Sequence, residues 1–344
     1  MVPEHLVLGR IGIAIFATIL ALAGAELAAR AIYRDELRLD LDERNVLYEH
    51  DPLLGWFPRR GTTQPFTGSR TIIVTHNRDG FRDRDHDADA AKPAVLVLGD
   101  SYVWGYDVEQ DRRFTDLLQR ARPDLEIYNM GVSGYGTDQE LLLLQRFVAR
   151  YRPALVIAVY TNINDPEDNG APVTNGGYAK PYYQLEDGAL RLRGVPVPEG
   201  ARLRWARHAL MRHSYLARLI AARAFALPPP IEQELQGLRA AREDSRDLPA
   251  LQALTIRLLL AIRDRVREAG AQFLVVLLGD APEITPALDA AGCAWVSLHQ
   301  VTVKNGLFNP ETSFPTHGRH WNKEGHRRVA EVLLPHLARL LPPP

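Results

Sequence analysis

Ala94-Val95-Leu96-Val97-Leu98-Gly99-Asp100-Ser101 is the stretch from which the fold is read. Five apolar residues run without a polar break and stop at a Gly-Asp-Ser corner, after which a helical pattern begins. A short apolar run bounded by turn residues is the mark of a strand buried on both faces of a parallel sheet. Open α/β sheets carry their chemistry at the carboxyl ends of such strands. Ser101 is therefore expected at the active edge of the sheet. A serine there can act as a nucleophile if a base reaches its hydroxyl and donors await the oxyanion. Asp and Ser are also ordinary residues of a strand-to-helix turn, and the tripeptide alone favours that plainer reading. What surrounds it reverses the balance.

Downstream the pattern repeats. Phe114 to Ala121 reads as a helix, and Leu125-Glu126-Ile127-Tyr128 as a second strand ending in Asn129-Met130-Gly131-Val132-Ser133-Gly134-Tyr135-Gly136. Thr137 with Glu140 forms a capping box for a helix that runs to about Arg150. Ala154 to Tyr160 is a third strand, ending in Thr161-Asn162-Ile163-Asn164-Asp165. Gln272 to Leu278 and Ala294 to Leu298 are a fourth and a fifth, and Arg327 to Leu341 is a closing helix. Strands alternating with helices imply a parallel sheet with right-handed crossovers. The fold class is α/β: a flavodoxin-like three-layer sandwich on a mainly parallel sheet, spanning 92–344. An insertion at about 167–247 breaks the alternation. It contains a hairpin around Asp187-Gly188 and a basic amphipathic helix from Arg202 to Ala226, read as a solvated face more readily than as a membrane-lying one.

Upstream, Leu6 to Ala29 is apolar except for Arg10 and Glu26, with its clean part at Ile11 to Ala25. That length lies between a secretory apolar core and a spanning helix of roughly 20 residues. Ala21-Leu22-Ala23 resembles a cleavage site, yet the helical pattern continues to Arg30, which favours an uncleaved transmembrane helix. Residues 1–30 are read as a membrane anchor or signal segment. Arg30, Arg34 and Arg38 on the far side, against Arg10 on the near side, count mildly against export. Residues 31–91 are read as a stalk (Asp35 to Glu49) and an irregular leader, with Asp83 to Asp89 as a solvated loop.

The net charge of −1 offers no basic field for a nucleic acid. The single cysteine, Cys293, excludes an intrachain disulfide and a cysteine metal cluster. His317 and His320 suggest no metal, because no third ligand has matching spacing, and no cofactor is expected.

Ser101, Gly131, Asn164 and His320 each follow a strand or lie just beyond one. In that order, Gly99-Asp100-Ser101, Asn129-Met130-Gly131, Asn164-Asp165 and His320-Trp321-Asn322-Lys323-Glu324-Gly325-His326 resemble the motifs of the SGNH (GDSL-type) hydrolases, specifically bacterial members with an N-terminal membrane segment. Asp51-Pro52-Leu53-Leu54-Gly55-Trp56 and Gly80-Phe81-Arg82 are similar to leader pieces of such proteins. The resemblance covers most of the chain from Asp51 and is weakest at 201–270. It implies Ser101 as nucleophile and His320 as base. The Ser101 and Gly131 N–H groups and the Asn164 amide would form the oxyanion hole. It also implies a catalytic domain on the periplasmic or extracellular face.

Two positions depart from the family pattern. His317 stands where an Asp usually orients the catalytic His, and Asn162 stands where a Gly precedes the third motif. Three cases follow for the acid: a Ser–His dyad oriented by a main-chain carbonyl, an acid from elsewhere such as Asp280 or Glu311, or a weakened enzyme. Either Asn162 or Asn164 points into the site. The expected activity is that of a serine esterase on O-acyl esters, O-acetyl carbohydrate esters among them. The alternatives are an O-acyltransferase acting on a polysaccharide and a non-catalytic carbohydrate-binding or assembly protein. Trp104 and Tyr106 either line a substrate cleft or only cover the sheet, and His326 is read as structural.

Overall fold

The computed structural model describes residues 4–33, 43–68, 70–86, 92–162, 165–174, 178–198, 210, 213–224, 247–314 and 319–343. They form two compact units, Met1–Asp40 with Ala201–Arg246, and Leu41–Gly200 with Asp247–Pro344.

In the first unit, Glu4–Ile32 is one helix. Its Gly9–Ile32 part has a mean hydropathy of 2.1 and is long and apolar enough to cross a membrane. Ile11, Phe16, Ile19 and Leu27 stand exposed along it. Glu26 faces the start of a second helix, Tyr215–Ala224, and accepts from Ser214 Oγ and from the Tyr215 and Leu216 N–H groups at 2.8, 3.0 and 2.9 Å. First-turn N–H groups have no acceptor within their own helix, so this carboxylate supplies one. Of the basic helix expected over Arg202 to Ala226, Tyr215–Ala224 is helical. Residues 202–209, 211–212 and 225–226 lie outside the described residues.

The second unit opens with the leader, which is more regular than its composition implies. Strands β1 (Tyr48–Asp51) and β2 (Gly55–Pro58) form one antiparallel hairpin, and β3 (Thr63–Thr67) with β4 (Thr71–Thr75) another. Leu47, Tyr48, Trp56, Phe57, Phe66 and Phe81 join the same apolar core as Leu96 and Trp104. The stalk expected over Asp35 to Glu49 therefore gives way at its described end. Glu43–Val46 is a helical turn whose Glu43 is buried, and Tyr48 already belongs to the core. Asp83 and His86 are buried too, against the expectation of a solvated loop. Asp83 accepts from the Asn129 N–H at 2.7 Å and pairs with His86, which also meets Glu126 at 2.7 Å. A charged run can be buried when its members satisfy one another and a strand end.

Strands β5 (Ala94–Leu98), β6 (Glu126–Asn129), β7 (Leu155–Tyr160), β10 (Gln272–Leu277) and β11 (Ala294–Ser297) make one sheet in the order β11-β10-β7-β5-β6, all parallel. Counted within this sheet the order is 2-1-3-4-5, the flavodoxin-like arrangement. Successive residues of β5 face opposite layers. Leu96 and Leu98 pack with helices Thr137–Tyr151 and Leu248–Glu268 through Leu142, Leu144, Leu258 and Ile262. Val95 and Val97 pack with helices Phe114–Ala121 and Lys323–Leu340 through Phe114, Leu118, Val329 and Leu333. The expected three-layer sandwich is thus present.

Two local expectations are refined. The hairpin β8 (Tyr182–Glu186) and β9 (Ala189–Arg193) turns through Asp187 and Gly188, both at positive φ (51° and 75°), the combination a type I′ turn needs. The capping box does not form: helix Thr137–Tyr151 is capped by Gly136, and Thr137 Oγ1 donates instead to buried Asp165 at 3.3 Å. Both Thr137 and Glu140 are buried, so their side chains serve the interior rather than the helix end.

Candidate active site

The carboxyl ends of β5, β6 and β7 converge on Ser101. Leaving β5, the chain turns at Gly99 and begins a four-residue helix, Ser101–Trp104. Asp100 caps it by accepting the Tyr102 N–H at 2.9 Å. The cap puts Ser101 in the first turn, where its own N–H has no acceptor within the helix. Leaving β6, Asn129 ties three pieces together. Its amide donates to the Val103 carbonyl at 2.7 Å and to Thr115 Oγ1 at 2.8 Å, and its Oδ1 accepts the Gly131 N–H at 3.1 Å. Gly131 lies close against the short helix that begins at Ser101. A Cβ there would stand 2.7 Å from Val103 C and closer still to Trp104 N.

His320 arrives from the other end of the chain. Trp321, fully buried, anchors the loop, and Ser313 bridges to Trp321 while the Phe314 N–H donates to the His320 carbonyl at 2.9 Å. Asn322 then caps helix Lys323–Leu340 by accepting from Glu324 and Gly325 N–H, which starts that helix earlier than the expected Arg327. The outcome is a contact of 2.7 Å between His320 Nε2 and Ser101 Oγ across 219 residues of sequence. The imidazole is held between two rings of the nucleophile segment. Tyr106 stacks on it at 4.7 Å and 17°, and Tyr102 lies tilted at 4.9 Å. Burial and Asp100 push the Tyr102 phenol upward, so it stays a protonated donor, its OH aimed at the Arg319 carbonyl at 3.5 Å.

Of the other expected site residues, His317 and Asn164 lie outside the described residues. Asn162 donates to the Asp280 carbonyl at 3.1 Å, which ties it to the end of β10. The two carboxylates considered as substitute acids are engaged elsewhere. Asp280 lies 3.1 Å from His299 Nδ1, and Glu311 pairs with Lys304 and Arg328, with Lys304 holding it below the usual carboxylate range. Trp104 belongs to the core, whereas Tyr106 reaches the imidazole. His326 is structural: it accepts the Phe114 N–H at 3.2 Å, and burial with Arg113 and Arg82 nearby pulls it down to about 3.

Three contributors take roles at the site that the sequence had not given them. Asn129 and the Tyr102–Tyr106 pair are two of these. The third is Arg82, fully buried, which donates to the carbonyls of Trp104, Gly105 and Val108 at 3.2, 2.6 and 2.6 Å and lies over the Trp104 ring. The Gly80-Phe81-Arg82 motif was the signal, and its chemistry is to hold the segment that follows the nucleophile. Burial and Arg113 lower the Arg82 guanidinium to about 9. Near the same sheet edge lie Glu140 and Asp165, both pushed well above the usual carboxylate range, Glu140 by burial, Asp100 and Asp138, and Asp165 by burial, Glu140 and Asp100. Asp138 is raised to about 6 by burial, although Lys180 pairs with it.

No family model matches the chain, and no curated protein does. Among solved structures, that of TesA matches with 16% identity over 72% of this chain and 99% of its own, at a TM-score of 0.42. The psychrotrophic esterase EstA from Pseudoalteromonas sp., in a structure inhibited by monoethylphosphonate, matches with 13% identity over 73% and 99%, at 0.40. A GDSL-like lipase from Bacteroides thetaiotaomicron matches with 12% identity over 74% and 94%, at 0.38. At these scores the matches carry no weight beyond themselves. The functional reading rests on the geometry of Ser101 and His320.

Proposed function

We propose that the chain is a serine ester hydrolase acting on O-acyl esters through an acyl-serine intermediate. The observation that carries this reading is the 2.7 Å contact between His320 Nε2 and Ser101 Oγ at the carboxyl edge of a parallel sheet. Ser101 Oγ attacks the acyl carbon as its proton passes to His320 Nε2. The tetrahedral intermediate collapses as His320 returns that proton to the leaving alcohol. Water, deprotonated by the same imidazole, then releases the acid. Donors for the oxyanion are the Ser101 N–H and, in this proposal, the Asn164 amide. The Gly131 N–H joins them by sharing its bond to Asn129. Removing one such donor typically costs about 100- to 1,000-fold in kcat. Tyr102 and Tyr106 limit rotation of the imidazole, work that an acid partner does in a full triad.

An acyl-enzyme can also be intercepted by an alcohol, so transfer to a carbohydrate hydroxyl belongs to the same proposal, as does placement of the site outside the cytoplasm by the N-terminal helix. The test is labelling of the full chain in detergent with a fluorophosphonate probe, beside Ser101→Ala and His320→Ala. Labelling of the native chain and its loss in both variants is the expected result. An unlabelled native chain, under conditions where a known esterase reacts, would refute the hydrolase reading. That result would favour a binding or assembly protein.

A further inference from the structure

A cavity of about 330 Å³ is lined by Phe308, Asn309, Pro310, Ser313, Phe314 and Arg319, the neighbour of His320 in sequence. Strand β13 (Leu307–Phe308), paired with β12 (Val303–Lys304), supplies its first wall. Four features of it point to one kind of ligand. Arg319, the residue before the base, takes a left-handed φ of 58°. Non-glycine residues adopt that conformation at a cost, and such positions cluster at binding sites. Its guanidinium lies over the Phe308 ring at 5.2 Å and has no carboxylate partner among the described residues. The nearby acid Glu311 is already taken by Lys304 and Arg328. Ser313 also lines it and is buried, its hydroxyl shielded from solvent. Among the described residues no acidic side chain lines the space, and the two phenylalanine rings make its walls apolar. The volume is at the low end for small-molecule sites, enough for one ring-sized group.

We infer that this cavity holds the alcohol half of the ester, and that this alcohol is a ring bearing an anionic substituent. The inference rests on the serine-hydrolase reading for its choice of half. His320 must deliver a proton to the leaving oxygen, so the leaving group lies on the histidine side, and the acyl group lies toward Gly131. Arg319 then meets the negative group, and Phe308 and Phe314 cover the ring faces. An uncompensated guanidinium next to an apolar wall favours an anion over a neutral ligand because a charge-assisted bond is stronger than a neutral one.

The test uses the full chain in detergent with 4-acetoxybenzoate and its methyl ester, which differ in the charge on the leaving ring. The native chain is expected to prefer the anionic ester in kcat/KM. Arg319→Gln is expected to lower the anionic-to-neutral ratio about tenfold or more, with Arg319→Lys restoring part of it and added salt eroding it. A native ratio near one, or a ratio unchanged in Arg319→Gln, would overturn the inference. A second arm does not depend on turnover. Calorimetric binding of 4-hydroxybenzoate to Ser101→Ala is expected to exceed that of its methyl ester, and to vanish when Arg319→Gln is added. Equal binding of the two overturns the pocket assignment, even if Ser101 is labelled. Selective binding with no labelling of Ser101 would leave the pocket standing and remove the hydrolase.

Discussion

Substituting Gly131 with alanine adds one methyl group at the tightest point of the site. The new Cβ would stand 2.7 Å from Val103 C and 2.8 Å from Val103 Cβ, and nearer still to Trp104 N. Ordinary contact for a Cβ begins at 3.4 Å, so Val103 C alone must retreat by 3.4 less 2.7, or 0.7 Å. The atoms that must give are main chain of the one helical turn carrying Ser101. Trp104 N donates to the Asp100 carbonyl at 2.9 Å and closes that turn. Overpacking of this kind costs about 1–3 kcal/mol, which for a domain of this size lowers Tm by roughly 3–10 °C. A displacement approaching 1 Å of a reacting group costs on the order of 100-fold in rate. Gly131→Ala is therefore expected to keep the fold and to lose about 100-fold in kcat/KM on an acetyl ester, with fluorophosphonate labelling slowed in proportion. A variant with native kcat/KM and a Tm within a degree of the parent would refute this account of how Gly131 bears on the nucleophile.

Arg82→Met keeps much of the side-chain volume but leaves the carbonyls of Trp104, Gly105 and Val108 without their donor. A loss of about 3 kcal/mol is expected, since partners of a buried charge are left unsatisfied. Thermal denaturation and the labelling rate should fall together, and a labelling rate unaffected by the change would count against the clamp. Glu140→Gln tests the buried acids through pH. Burial raises the Glu140 and Asp165 pKa values, so both hold protons in the folded state that the unfolded chain has already released. The stability they contribute is complete only below their unfolded values of 4.5 and 3.8 and is lost as pH rises toward their folded values, by up to about 1.4 kcal/mol per pH unit for each proton retained. Melts between pH 5 and 8 should therefore show a falling Tm that is shallower in Glu140→Gln. Parallel profiles would show that Glu140 is not the group responsible.

The sheet was legible in the sequence because most of its strands are apolar runs between turn residues, and β5 begins and ends where its composition says it should. The Ser101–His320 contact was legible in a different way. Nothing local links Ser101 to His320, and only the order of motifs after successive strands put them together. What escaped has common physical causes. Arg82 acts on main-chain carbonyls, which leave no mark in side-chain identity. Thr137 and Glu140 match a helix cap letter for letter, but burial redirects a side chain that would otherwise turn back on its own backbone. Asp83 and His86 sit in an alternation of charges that reads as solvated, until Asn129 and Glu126 arrive from β6 to satisfy them. The leader's aromatic residues looked scattered because two short hairpins, not one periodic element, bring them to the core.

The clamp and the base have very different sequence separations, and this bears on biosynthesis. Arg82 reaches carbonyls 22 to 26 residues ahead of it, so the two parts leave the ribosome almost together. The imidazole follows Ser101 by 219 residues, an interval of roughly 10 to 40 s at ordinary elongation rates of about 5–20 residues per second. Through that interval the hydroxyl has no base and is a poor nucleophile. If Ser101 and His320 act as proposed, nascent chains therefore carry a shaped but inert serine. On that proposal, reactivity arrives only when the segment carrying His320 docks against the Ser101 turn, so the potency of the site reports on the joining of two distant stretches of chain.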